Sequence, residues 1–307
     1  KVINLAALKM VNKMLGMFFG IMNIAMIASI SIIMNLLGLK PYISSYGINY
    51  ESLMVFCLLW GMGGAFFGLM ISKWMAKRSM RVEIIEQAAT AQQQWLLDTV
   101  KRPAERAGIG MPEVGVFPSQ SANAFATGWN KNKALVAVST GMLERFSREE
   151  VEAVMAHEIG HVANGDMVTL TLIQGVTNTF VLFFSRIVGQ IVAGAAKNRA
   201  MGSMGYFAAV MVSQIVFGIL ASMIVMWFSR RREFRADDMG AKLAGTGAMV
   251  AALERLKNPV AHTAEQELPD NMAAMGISPS LKSKLGGLMT THPPLDARIA
   301  ALKAKHV

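Results

Sequence analysis

Long uncharged runs alternate with two polar regions along this chain. Residues 15–39 and 53–72 carry no charge, nor do residues 167–185 and 206–229. The third run continues to residue 196 past a single interruption at Arg186. A helix needs about 20 apolar residues to cross the hydrocarbon core, so the pattern predicts four transmembrane helices. A helix entering the bilayer at Met167 carries Arg186 about 28 Å along its axis, near the far interface, where an arginine can snorkel. A re-entrant hairpin is the alternative for that segment. The second run contains Gly64-Ala-Phe-Phe-Gly68, a spacing that lets helix backbones approach closely and is read here as packing within the chain.

The polar regions, about 75–166 and 230–307, are patterned differently. In the first, residues 87–107 read as a helix ended by Gly108 and Gly110, and residues 113–117, 122–127 and 135–139 read as short strands bounded by Pro, Gly and Asn. Ser147-Arg-Glu-Glu150 forms a capping box that opens a further helix. The second region reads as helical over 231–243, 247–257 and 294–305. The expected organisation is an N-terminal membrane region (1–74), a first catalytic segment (75–166), a second membrane pair (167–229) and a second catalytic segment (230–307).

Composition sharpens this picture. Of the 307 residues 53% are hydrophobic and 16% charged, well below the share of about 25% usual in soluble domains. The net charge of +10 would raise nucleic acid as a partner on a soluble protein. Here the basic residues flank the apolar runs, so no nucleic acid is expected. Lys1, Lys9 and Lys13 precede the first run, Lys73, Lys77, Arg78 and Arg81 follow the second, and Arg230, Arg231, Arg232 and Arg235 follow the fourth. By the positive-inside rule both termini and both polar regions lie in the cytoplasm. No cleavable secretory signal is read at the N-terminus. The lone Cys57 excludes an intrachain disulfide and a multi-cysteine metal site.

The capped helix contains His157-Glu158-Ile-Gly-His161, an H-E-x-x-H pattern. Residues i and i+4 share a helix face, so both imidazoles can reach one zinc ion. Glu158 beside them can take a proton from a water molecule. With 5 His in the chain, chance occurrence of the pattern is rare. Catalytic zinc takes three protein ligands and keeps an open position. On spacing alone the third ligand stays open among Asp166, Glu233, Asp237, His262 and His292. Glu233 stands out, because two spans separate it from His161 and return the chain to the same side. Asp237, one turn later, can accept the second N–H of a ligand histidine. Asn123, Ala124, Phe125 and Ala126 lie in a stretch that, as an edge strand, can pair with an extended substrate.

His157-Glu-Ile-Gly-His161-Val-Ala-Asn-Gly-Asp166, Glu233-Phe-Arg-Ala-Asp237, Thr291-His292-Pro-Pro-Leu-Asp-Ala-Arg298 and Asn123-Ala-Phe-Ala-Thr-Gly128 together resemble the M48 family of membrane metalloproteases. The four-segment layout resembles bacterial heat-shock members more than the CAAX prenyl protease branch. The resemblance implies an α-helical membrane protein with an α+β zincin-like, gluzincin-type catalytic domain. It implies one zinc ion per chain on His157, His161 and Glu233, with Asp237 behind a ligand and His292 and Arg298 lining the active site. One of those two would stabilise the developing oxyanion. It also implies a bacterial inner-membrane endopeptidase of the stress response, cleaving misfolded or damaged membrane proteins at the cytoplasmic face. Unfolded polypeptides, the lipid bilayer and other membrane quality-control proteases are then its expected partners. The competing readings are a CAAX-type processing peptidase and a membrane scaffold with structural zinc.

Overall fold

The computed structural model describes residues 49–195, 199–257 and 292–305, together with Ile32, Asn35 and Leu36. The first apolar run, apart from those last three residues, lies outside the described residues, as does the candidate His262. Element order is α1 (Tyr50–Ser79), β1 (Glu83–Ile84), α2 (Ala91–Arg106), β2 (Glu113–Phe117), β3 (Ala124–Thr127), β4 (Leu135–Ser139), α3 (Thr140–Arg145), α4 (Arg148–Asn164), α5 (Asp166–Gly194), α6 (Arg199–Ala244), α7 (Thr246–Leu256) and α8 (Leu295–Lys305). Three helical stretches among the described residues are long and apolar enough to cross a membrane: Tyr50–Ser79, Asp166–Gly194 and Met201–Ala244.

The described chain forms two compact units. One takes α1 up to Phe66 together with Thr171–Ser222, and the other takes Phe67–Leu170 with the described residues from Met223 onward. In the first unit, Cys57, Phe183 and Ile187 form the buried centre. Close approach there falls on a different glycine from the one expected. A Cβ on Gly61 would collide with Thr179, whereas a Cβ on Gly64 or Gly68 would meet nothing among the described residues. The GxxxG pair is therefore not the packing face among the described residues.

The second unit is built on a mixed sheet of order β1-β2-β4-β3. β2 and β4 run parallel, with Glu113 opposite Leu135 and Phe117 opposite Ser139. β3 lies antiparallel to β4 at the edge, with Ala124 opposite Val138. Every residue of β4 is buried, because both faces of the sheet are covered. Side chains alternate across a strand. Val136 and Val138 accordingly join Val151, Met155 and Ile159 of α4 in one core, while Leu135 and Ala137 join Phe117, Phe125 and Ala76 on the other face.

Local chemistry sets both ends of α4. Ser147 accepts from the Glu150 N–H while the Glu150 carboxylate accepts from the Ser147 N–H, the reciprocal box foreseen from sequence. Gly165 ends the helix at φ 68°, a left-handed conformation that glycine adopts without strain. Two elements depart from expectation. Residues 231–243 are not a separate helix but continue α6 without a break. The two-residue β1, too short to show a period, extends the sheet through pairing with β2.

Candidate metal centre

The helix α4 is buried on nearly all sides, and His157, Glu158 and His161 are all within its buried stretch. The third arm is α6. A Cβ on Gly160 would stand 3.0 Å from Met239 Cβ and 3.2 Å from the Ala236 carbonyl. A Cβ on Gly240 would stand 3.3 Å from the His157 backbone. The absence of side chains at these two positions lets α4 and α6 pack backbone to backbone. That brings Glu233 and Asp237, one turn apart on α6, against the two histidines.

Ligand-type atoms of His157, His161 and Glu233 lie within 4.8 Å of one another. His161 Nε2 is 3.3 Å from Glu233 Oε1, and His157 Nε2 is 3.7 Å from Glu233 Oε2. Atoms bound tetrahedrally at about 2.1 Å from one ion stand roughly 3.4 Å apart. Nε2 of His157 and both carboxylate oxygens of Glu158 are buried without a hydrogen-bond partner among the described residues. Buried polar atoms are normally satisfied, and two imidazole nitrogens with one carboxylate make a donor set that suits zinc. The residues fit a divalent cation.

Each imidazole is held from behind by a carboxylate. His157 Nδ1 is 2.9 Å from Asp237 Oδ1, and His161 Nδ1 is 2.7 Å from Asp166 Oδ2. A carboxylate at Nδ1 keeps the proton there and turns the Nε2 lone pair toward the metal position. The carboxylates are themselves backed by arginines. Arg298 donates from Nε and Nη2 to the two oxygens of Asp237 at 2.8 and 2.6 Å. Arg235 donates from Nη2 to Asp166 at 3.2 Å.

These contacts shift the ionisable groups. Burial depresses the His157 pKa to about 4, outweighing the nearby Asp237. Burial also acts to lower His161, but the charge of Glu233 and the Asp166 hydrogen bond prevail and raise it to about 9. Glu158 is pushed up to about 7, chiefly by burial. A carboxylate tuned near neutrality suits a group that accepts and returns a proton.

The structure brings together His157, Glu158, His161, Glu233, Asp237, His292 and Arg298. His292 Nδ1 is 2.9 Å from Glu233 Oε2. Arg298 is completely buried, and its Nη1 faces Glu233 Oε2 at 3.4 Å. All three of its nitrogens thus face carboxylates of the protein. That geometry places Arg298 behind Asp237 as a buttress. Asn123 is buried just before the edge strand, where its own side chain accepts from the Ala124 N–H. Ala124, Phe125 and Ala126 lie in β3. Sequence reasoning placed Asp166 among the ligand candidates and missed its actual contact. The available signal was its position just past the helix end, five residues after His161. Arg235 carried no signal beyond belonging to a basic run.

A buried glutamate between two histidines, with a further buried glutamate from α6 beside them, is the arrangement of a membrane metalloprotease. The chain belongs to peptidase family M48, whose family model matches residues 90–306. It is 57% identical over 283 residues to Protease HtpX of Hahella chejuensis, across 92% of this chain and 96% of that protein. It is 58% identical over 283 residues to Protease HtpX of Pseudomonas aeruginosa, with the same coverage of 92% and 96%. The fold is similar to that in the crystal structure of S. mikatae Ste24p, at a TM-score of 0.57 and 16% identity, covering 94% of this chain and 66% of that one. The expected kinship with the bacterial branch of the family is borne out, and with it a protease whose family implies a metal.

Proposed function

We propose that the protein is a zinc endopeptidase of the inner membrane that cleaves misfolded or damaged membrane proteins at the cytoplasmic face. The observation that carries this reading is the convergence of His157 Nε2, His161 Nε2 and the Glu233 carboxylate around one position, with the buried Glu158 beside them. His157, His161 and Glu233 would hold one zinc ion per chain, in a gluzincin-type arrangement. When bound, the ion supplies Lewis acidity to the water and the scissile carbonyl. Glu158 takes the proton from the attacking water and returns it to the leaving amine. Asp237 and Asp166 fix the tautomers and ring orientations of His157 and His161. Arg298 positions Asp237, and of the C-terminal pair His292 is assigned the substrate-facing role. The edge strand β3, preceded by Asn123, would pair with an extended substrate through the backbones of Ala124, Phe125 and Ala126.

The placement of basic residues beside the spans supports the cytoplasmic assignment of the site. Similarity to the HtpX proteases over almost their whole length supports membrane quality control over CAAX processing. A scaffold with structural zinc would leave the buried Glu158 without a task.

The decisive experiment compares wild type with Glu158→Gln in detergent, measuring bound zinc and cleavage of an unfolded substrate in parallel. The expected result is equal zinc with cleavage reduced at least about 100-fold. Equal zinc with equal cleavage would remove Glu158 as the base and return the scaffold reading.

A further inference from the structure

One exposed face of α6 carries a mixed aromatic and basic stripe where its apolar stretch ends. Trp227, Arg231 and Phe234 recur at i, i+4 and i+7, and Arg235 adjoins them, so all four share a helix face. Trp227 is 46% exposed and Phe234 36%, and the Arg235 side chain is 58% exposed. The Arg231 guanidinium stands 4.5 Å from the centroid of the Trp227 ring. Its side chain therefore runs back toward the apolar, N-terminal end of the helix, the direction in which helical side chains lean.

In water this face would leave two large aromatic rings uncovered. At a membrane surface each part has a match. Indole and phenyl rings sit at headgroup depth, and juxtamembrane cations are drawn to anionic lipids. A guanidinium presents a flat fork of donors that suits phosphate oxygens, and contact with Trp227 holds that fork in one orientation. The second guanidinium is also anchored, through the 3.2 Å contact of Arg235 Nη2 with Asp166.

We propose that Trp227, Arg231, Phe234 and Arg235 form a binding site for the phosphate headgroup of an anionic phospholipid. The rings take the glycerol and upper acyl region, and Arg231 is the principal phosphate donor. The site does not depend on the protein being catalytically active. Arg231 and Arg235 are one turn apart on the same face, so both add positive charge beside the site. A lipid seated there would touch Arg235 and, through it, the carboxylate that orients His161.

The test uses full-length protein in detergent, titrated with phosphatidylglycerol or phosphatidylcholine and read by native mass spectrometry. Wild type should retain phosphatidylglycerol in preference to phosphatidylcholine. Arg231→Gln should reduce that preference roughly fivefold, the worth of one interfacial arginine. Lys101→Gln, which removes an equal charge from the exposed surface of α2, should leave it unchanged. Unaltered phosphatidylcholine retention in Arg231→Gln would show that the variant is folded. The proposal is overturned if Arg231→Gln behaves as wild type, or if Lys101→Gln lowers the preference equally. Displacement of phosphatidylglycerol by inorganic phosphate at matched concentration would also overturn it, in favour of a simple anion site.

Discussion

His157 and His161 are held by two arms of the same chemical design, imidazole to carboxylate to arginine, yet the arms end in different surroundings. On the His157 side, Asp237 is gripped by both oxygens, at 2.8 and 2.6 Å, by an arginine with no exposed surface. On the His161 side, Asp166 receives a single bond at 3.2 Å from an arginine whose side chain is 58% exposed. A buried ion pair is stabilised by its geometry and is expensive to break from one side. An exposed pair is screened and contributes little. One arm is therefore a fixed part of the core, and the other ends at an adjustable contact with the surroundings.

The largest effect that bears on this contrast belongs to Glu233, the proposed shared ligand. Glu233→Ala removes an atom both arms aim toward, and elemental analysis should find metal binding abolished rather than weakened. Arg298→Ala comes next. It leaves Asp237 and Glu233 buried beside one lost cation, so the protein should lose about 3–5 kcal/mol of stability, read as a lower unfolding midpoint in detergent. Arg298→Lys should recover little, because an ammonium cannot make the two-pronged bond. An Arg298→Ala variant of wild-type stability, impaired only in turnover, would favour the oxyanion role for this residue.

Smaller losses should follow from the carboxylates. Asp237→Asn and Asp166→Asn should each weaken zinc affinity by about 10–100-fold, with competition against a chelator as the measurement. Arg235→Ala should be the mildest, changing stability by at most about 1 kcal/mol with zinc affinity nearly intact. If Arg235→Ala costs as much as Arg298→Ala, burial is not what separates the two arms.

Much of the site was legible because its chemistry is local. The H-E-x-x-H spacing places two imidazoles on one face through helix geometry alone. The Ser147–Glu150 box announces the helix start, and the bounds predicted for β2 and β4 match those observed. Asp237 was legible in part, being one turn from Glu233. Other features were set at long range. Gly61, not Gly64 or Gly68, approaches Thr179, because that choice belongs to the partner helix as much as to the motif. Residues 231–243 looked like a new helix because their polarity changes, although hydrogen bonding along α6 does not respond to polarity and runs on unbroken.

By itself, then, the sequence determined the elements that depend on near neighbours: the apolar stretches, the capped α4, its two histidines and Glu158 between them. Tertiary structure alone decided that β2 pairs parallel with β4. It also decided that Asp166 meets His161, that Arg298 lies behind Asp237 and that His292 meets Glu233. Those partners are about 20 to 60 residues apart or, like Asp166, sit just past a helix end whose exit direction Gly165 sets. A buried charge takes whichever counter-charge the packing delivers, and no local period records that choice.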